Sequence, residues 1–327
     1  MTVFHDLLRC PRCRGRMALE NFTTVSCPGC GLRPAVHGSI LDFLTDGGSV
    51  GVSPEVNTFY EKRPFPGYMP SDDASSLIDR ARRSAFLRAL DAGIPPAAAV
   101  LDCGAGTGQV SAFLALAAPG RTVIAADMCR ASLAEADKFR GRASVGNLHL
   151  VRADLFALPV PEKGFEVVVS RGVVHHTPDV ERAIRSVARH VAPGGVLVLG
   201  FYETAARGLH VARRAIGRAA GQPIRALDPI LRRADLDVEK KNTWIEDQYH
   251  HPLERILALP WVLRLLSSLG FTWIRTVPPA PLAASLFDAT DELSPMGLFA
   301  RRAGWFARGL GDEDAGLVCV VMRAPAA

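Results

Sequence analysis

The sequence has no apolar run long enough to cross a bilayer. Its most apolar late stretch, RILALPWVLRLLSSLGF, is broken by Pro260 and Arg264 and is too short. The opening residues MTVFHDLLRC have no apolar core followed by a small-residue cleavage site, so no secretory leader is expected. Both absences point to a cytoplasmic protein with no membrane partner. Internal repeats and low-complexity tracts are missing too, which excludes a repeat architecture. Charge is modest: 38 Lys and Arg against 33 Asp and Glu give a formal +5. That permits a phosphate-bearing partner without requiring one. With 48% hydrophobic and 22% charged residues over 327 positions, the chain is too apolar to be disordered and long enough for two or three domains.

Four of the seven cysteines form two Cys-x-x-Cys pairs, Cys10/Cys13 and Cys27/Cys30, with thirteen residues between. Each such turn sets two thiolates on one side of a tight knuckle, and two knuckles complete a closed tetrahedral Zn²⁺ site. In a reducing compartment this spacing favours metal over disulfides. RMALENFTTVSC between the pairs reads as two short hairpin strands. The expectation is a structural-zinc ribbon over residues 1–45, with no open position for catalysis. Cys103, Cys129 and Cys319 lie in apolar surroundings and read as packing residues.

Residues 46–75 read as connector and lid. LTDGGSVGVSPEVN is a Gly/Ser linker, and TFYEKRPFPGYMPSDD is aromatic, Pro-rich and not expected to form a regular element. Phe59, Tyr60, Phe65 and Tyr68 can tether this segment to the next domain, cover a ligand, or both. From Ser76 strands and helices alternate. The strands AAVLDC, TVIAADM, NLHLVRADL, FEVVVSRGVV and GGVLVLGFY are followed later by FTWIRTVPP and AGLVCVVMRAP. Apolar strands alternating with helices predict a doubly wound, mostly parallel, seven-stranded α/β sheet of Rossmann-like type over 76–327. Helices are expected over SSLIDRARRSAFLRALDAG and PLERILALPWVLRLLSSLG. A helical insertion at about 203–253 carries nine Lys or Arg against four acids between Arg207 and Lys241.

VLDCGAGTGQ follows a strand and opens a helix, the place where nucleotide-like ligands bind in this architecture. Gly104, Gly106 and Gly108 let the backbone approach a ligand. Asp102 can accept from a cationic group, Asp127 from ribose hydroxyls and Asp154 from an adenine amino group. An acidic crevice repels pyrophosphate and suits a cationic adenosine compound, and S-adenosylmethionine (SAM) is one.

LDCGAGTG, AADM, RADLFALP and VVVSRGVVHHTPD…VAPGGVLVLGFYE resemble the consecutive motifs of class I SAM-dependent methyltransferases. The resemblance implies that Asp102, Gly104 and Gly106 hold the methionine part of SAM. It implies Asp127 on the ribose, Met128 against the adenine, Asp154 and Leu155 flanking it, and Ser170 near the sulfonium. FYEKRPFPGY, GVVHHTPD and DQYHHPLERI further resemble a group of bacterial methyltransferases with an N-terminal cysteine-rich ribbon.

His175 or His176, after the fourth strand, is a candidate proton acceptor, since histidine titrates near working pH. The bland alternative is packing for one and a backbone bond for the other. Tyr249, His250, His251 and Glu254, with Asp247, form a second polar cluster that is a base or metal candidate, His251 and Glu254 sharing a helix face if a helix starts at Pro252; a capped helix start is the alternative. The arginines of the insertion either bind phosphate or face water. Methyl transfer to a small molecule in an enclosed pocket is the leading expectation. The alternatives are an RNA methyltransferase reading through the ribbon, a lyase or cyclase releasing methylthioadenosine, and a non-catalytic binding module.

Overall fold

The computed structural model describes residues 4–20, 24–44, 54–62, 64–222, 225–236, 238–278, 285–287, 294–310 and 316–326. Most of the expected Gly/Ser connector, residues 45–53, lies outside them.

Strands β1 (Ala18–Leu19) and β2 (Val25–Ser26) pair antiparallel between the cysteine knuckles, where two hairpin strands were expected. Next come β3 (Ala35–His37), β4 (Ile40–Asp42) and helix α1 (Pro54–Lys62). Helix α1 corrects an expectation, because the aromatic stretch read as irregular is helical through Lys62. Helices α2 (Ala74–Arg83) and α3 (Ala85–Gly93) replace one expected helix. Ser84 breaks it, adopting φ −77°, ψ 117° and using its hydroxyl to accept the Leu87 N–H as N-cap of α3.

The alternating region then runs β5 (Ala99–Cys103), α4 (Gln109–Ala117), β6 (Thr122–Asp127), α5 (Arg130–Arg142), β7 (Leu148–Arg152), β8 (Phe165–Arg171), α6 (Val180–Ala188) and β9 (Val191–Tyr202). Helices α7 (Thr204–Ala219) and α8 (Val238–Tyr249) form the insertion. Helix α9 (Leu259–Ser268), β10 (Thr272–Val277), α10 (Pro295–Arg308) and β11 (Leu317–Arg323) follow. Helix α9 starts at Leu259, not Pro252, so His251 and Glu254 lie in irregular chain and share no helix face.

The sheet order is β10-β11-β9-β8-β5-β6-β7-β4-β3. The seven expected strands are all present, with β5 to β9 parallel and β11 antiparallel to β9. Among the described residues the sheet has nine strands rather than seven, because β4 pairs parallel with β7 and carries β3 beyond it. Alternation along β5 shows why both faces are covered: Leu101 and Cys103 join one apolar cluster, Val100 the other. The chain order reverses between β5 and β8, and a crevice opens there at the strands' carboxyl ends.

Candidate active site

The crevice is a cavity of about 320 Å³ with two chemically different ends. The first is built by the turn from β5 into α4. Gly104, Gly106 and Gly108 stand at φ 76°, 57° and 72°, the left-handed region that suits glycine. A Cβ on Gly106 would come within 2.5 Å of the Phe65 carbonyl oxygen, so the close approach also needs glycine. Asp127, at the end of β6, ties the turn down. Its Oδ2 accepts the Gly106 N–H at 2.7 Å and its Oδ1 the Cys129 N–H at 2.8 Å.

Asp102 is buried and accepts the Ser111 hydroxyl at 2.5 Å. Burial pushes its carboxyl up to about 6, against the hydrogen bond from Ser111. Burial raises Asp127 as well, against its backbone hydrogen bonds. Met128 and Leu155 also line this end. Asp154 and Ser170 do not line the cavity. Asp154 accepts the Phe156 N–H at 2.9 Å as the cap of a short turn, and the Ser170 hydroxyl donates to the Cys103 carbonyl at 3.0 Å.

The lid residues divide their labour. Tyr60 and Phe65 line the cavity. Tyr68 is a tether, stacked on Phe139 of α5 with ring centres 4.5 Å apart. Glu61 of α1 accepts the backbone N–H groups of Arg130 and Ala131 at 2.6 and 3.1 Å, so the lid helix is capped onto the start of α5. The carbonyl of Pro66 accepts the Thr107 hydroxyl, and that of Gly67 accepts from Gln109 at 2.9 Å. Residues 65–67 thus lie as a strap over the glycine turn.

At the far end His176, Tyr202, Trp244, Asp247 and Gln248 line the cavity. His176 Nδ1 lies 2.8 Å from the Leu253 carbonyl, which assigns the proton to Nδ1 and leaves Nε2 as an acceptor. Burial lowers its pKa to about 4. The His251 ring packs on that of His176, tilted by 31° with ring centres 3.8 Å apart, and accepts the Leu253 N–H on Nδ1 at 3.2 Å. His175 is fully buried behind them, and neither of its ring nitrogens has a hydrogen-bond partner among the described residues. Tyr249 is turned away from the cavity, its hydroxyl donating to Asp228 at 2.8 Å.

Sequence reading missed the network behind this end. Arg207 is fully buried rather than facing water, and donates to Gln248 Oε1 and Glu254 Oε2, both at 2.6 Å. Arg214 pairs with the same carboxylate at 2.9 Å. The Arg207 bond fixes the Gln248 amide, whose nitrogen donates to Asp247 at 2.6 Å and to the Tyr202 hydroxyl oxygen at 2.9 Å. The Arg207 guanidinium also covers the Tyr202 ring at 3.7 Å. Tyr202, at the carboxyl end of the fifth parallel strand, was findable from its strand-end position; Gln248 carried no signal of its own.

These buried groups set an acid limit. His149, His176, His190, His210 and His251 are all pushed down to about 3 or 4, chiefly by burial, and His175 is pushed well below its usual value. Unfolded histidines titrate near 6.5, so between 6.5 and 4 the unfolded chain binds more protons and stability falls as pH falls. Asp102, Asp127 and Asp247 are raised and act in the opposite sense. Urea unfolding at pH 7 and pH 5 should therefore show a net loss of at least about 2 kcal/mol at pH 5. Equal midpoints would mean the histidines are not held neutral.

In the N-terminal segment the four sulfurs of Cys10, Cys13, Cys27 and Cys30 lie within 4.8 Å of one another. A tetrahedron with metal–sulfur bonds of about 2.3 Å needs sulfurs about 3.8 Å apart, so the donors suit a closed zinc site.

The sheet order, the glycine turn and the acid at the end of β6 together define a doubly wound α/β fold of Rossmann-like type. Residues 101–199 match the family model described as a methyltransferase domain. The chain is 38% identical over 112 residues to the ubiquinone/menaquinone biosynthesis C-methyltransferase UbiE of Vibrio campbellii, covering 33% of this chain and 43% of that protein. It is 38% identical over 105 residues to the UbiE protein of Pasteurella multocida, covering 31% and 39%. The chain thus spans less than half the length of the curated relatives it matches. A solved SAM-dependent methyltransferase from Mesorhizobium loti is 20% identical, with TM-score 0.45 over 74% of this chain and 99% of that one. No helix among the described residues is long and apolar enough to cross a membrane.

Proposed function

We propose that this protein transfers a methyl group from SAM to a small molecule held in the cavity. The observation that carries the reading is a single cavity joining the glycine-turn end to a polar far end under the α1 lid. Residues 1–45 act as a zinc ribbon and 46–75 as connector and lid. Residues 76–327 form the methyltransferase domain, with 203–253 as its cap. A reducing cytoplasm keeps the four thiols available for zinc.

The glycine turn, Asp102 and Asp127 would hold SAM, with Met128 and Leu155 on its adenosine side. Bound there, SAM supplies a methyl carbon activated by its sulfonium. The protein's own work is alignment and exclusion of water. Tyr60 and Phe65 close the cavity from above. Asp247 and Tyr202, oriented through Gln248, offer an acceptor and a hydroxyl donor to the incoming molecule. His176 presents Nε2, unprotonated at neutral pH, to take up the proton that the accepting atom releases.

The matched family segment, 101–199, ends before the cap at 203, so the family match bears on the cofactor end more than on the acceptor. A host extract supplied with methyl-labelled SAM tests the reading. Label should enter small molecules, and label in RNase-sensitive polymer, or methylthioadenosine without transfer, would overturn it. His176→Asn should slow labelling about 100-fold while S-adenosylhomocysteine binding stays within about threefold. Unchanged labelling would remove His176 from the chemistry.

A further inference from the structure

The ribbon and the adenosine end of the cavity share a wall. Leu155 and Leu158 line the cavity, and both belong to the apolar cluster that contains Cys10 and Cys27. The wall's backbone is held from two sides. The Leu155 and Phe156 carbonyls accept from Ser186 and Arg189, in and just after α6. The carbonyls of residues 158–160 accept from the ribbon instead. Arg14 donates to Leu158 at 3.0 Å and Val160 at 3.1 Å, and the Arg9 N–H donates to Pro159 at 2.8 Å.

Arg14 stands at φ 63°, a conformation that a non-glycine residue keeps only where its surroundings impose it. Its own N–H donates to the Cys10 carbonyl at 2.9 Å inside the first knuckle. Drawing Cys10 and Cys13 onto one metal closes that knuckle, and the closed knuckle aims the guanidinium at the wall.

We propose that the metal-closed ribbon braces the adenosine wall of the cavity, with Arg14 as the positioning residue, so that metal occupancy sets affinity for the adenosine part of SAM. This rests on the SAM reading above. The test is calorimetric titration of the full zinc-loaded chain with S-adenosylhomocysteine and with methylthioadenosine, which retains adenine and ribose. Arg14→Gly removes the guanidinium but suits the positive φ, so zinc content should stay at the wild-type level. Both compounds should then bind about fivefold more weakly, the low end of coupling between distinct sites. Arg14→Lys should recover part of the loss, which general loosening of the ribbon would not explain. Chelation of zinc should weaken binding at least as much, reversibly on adding zinc back. Wild-type affinity in the zinc-loaded Arg14→Gly protein would overturn the brace. Failure of the wild-type protein to bind either compound would instead overturn the SAM reading.

Discussion

Asp127→Ala is expected to raise the dissociation constant for S-adenosylhomocysteine about 100-fold. The carboxylate holds both the Gly106 and Cys129 N–H groups, so its loss strips two donors of their partner and frees the turn that Gly104 and Gly106 shape. The unsatisfied donors weaken the free and bound forms alike, so affinity falls through the lost ribose bond to a charged acceptor, about 1.5–3 kcal/mol, and through the turn that must be re-ordered on binding. Asp127→Asn should fall between, since its amide oxygen accepts one N–H while its amide nitrogen faces the other donor. Calorimetry on the three proteins decides the matter. Near wild-type affinity in the alanine variant would mean that the ligand sits elsewhere, and the functional reading would fail with it.

Arg207→Met is expected to destabilise the fold by about 3–5 kcal/mol, the cost of breaking a buried ion pair from one side. Arg207 joins Glu254, Gln248 and the Tyr202 ring, and Glu254 keeps its bond from Arg214 when Arg207 is gone. The Gln248 amide would also lose the bond that fixes its orientation toward Asp247 and Tyr202. Arg207→Lys should recover little, because an ammonium cannot span both acceptors in one plane. Urea unfolding at a constant slope is the measurement. A loss below about 1 kcal/mol would show that the network is dispensable to the fold.

The two variants probe opposite ends of one cavity, and they differ in how far the sequence announced them. Asp127 ends an apolar strand one βα unit after the glycine turn, a relation carried by contiguous residues. The cysteine knuckles were equally legible, because two Cys-x-x-Cys pairs impose their chemistry through spacing alone. The lid was half legible. Its aromatics stood out, and Pro64 and Pro66 suggested irregular chain throughout. Their effect stops short of Pro54–Lys62, which is helical and sets Glu61 where it can cap α5.

Arg207 was not legible at all. Leu209, Ala212, Ile216 and Ala219 repeat at helical spacing, and such a stripe fixes one apolar face without telling whether its arginines meet water or a carboxylate 47 residues on. Asp154 and Ser170 differ again: strand ends placed them near the crevice, where one Asp154 oxygen accepts a local backbone N–H and the Ser170 hydroxyl donates to a neighbouring carbonyl.

By itself the sequence determined the strand–helix alternation, the glycine turn with Asp102 and Asp127, and the metal-binding spacing, since each depends on residues a few positions apart. Only the tertiary structure decided the rest. It added β3 and β4 to the sheet edge, set Tyr202, Asp247 and Gln248 around the far end, and hung three wall carbonyls on the ribbon. Those contacts join segments far apart in the chain, and hydrophobic periodicity records which face of an element is buried, not what it is buried against.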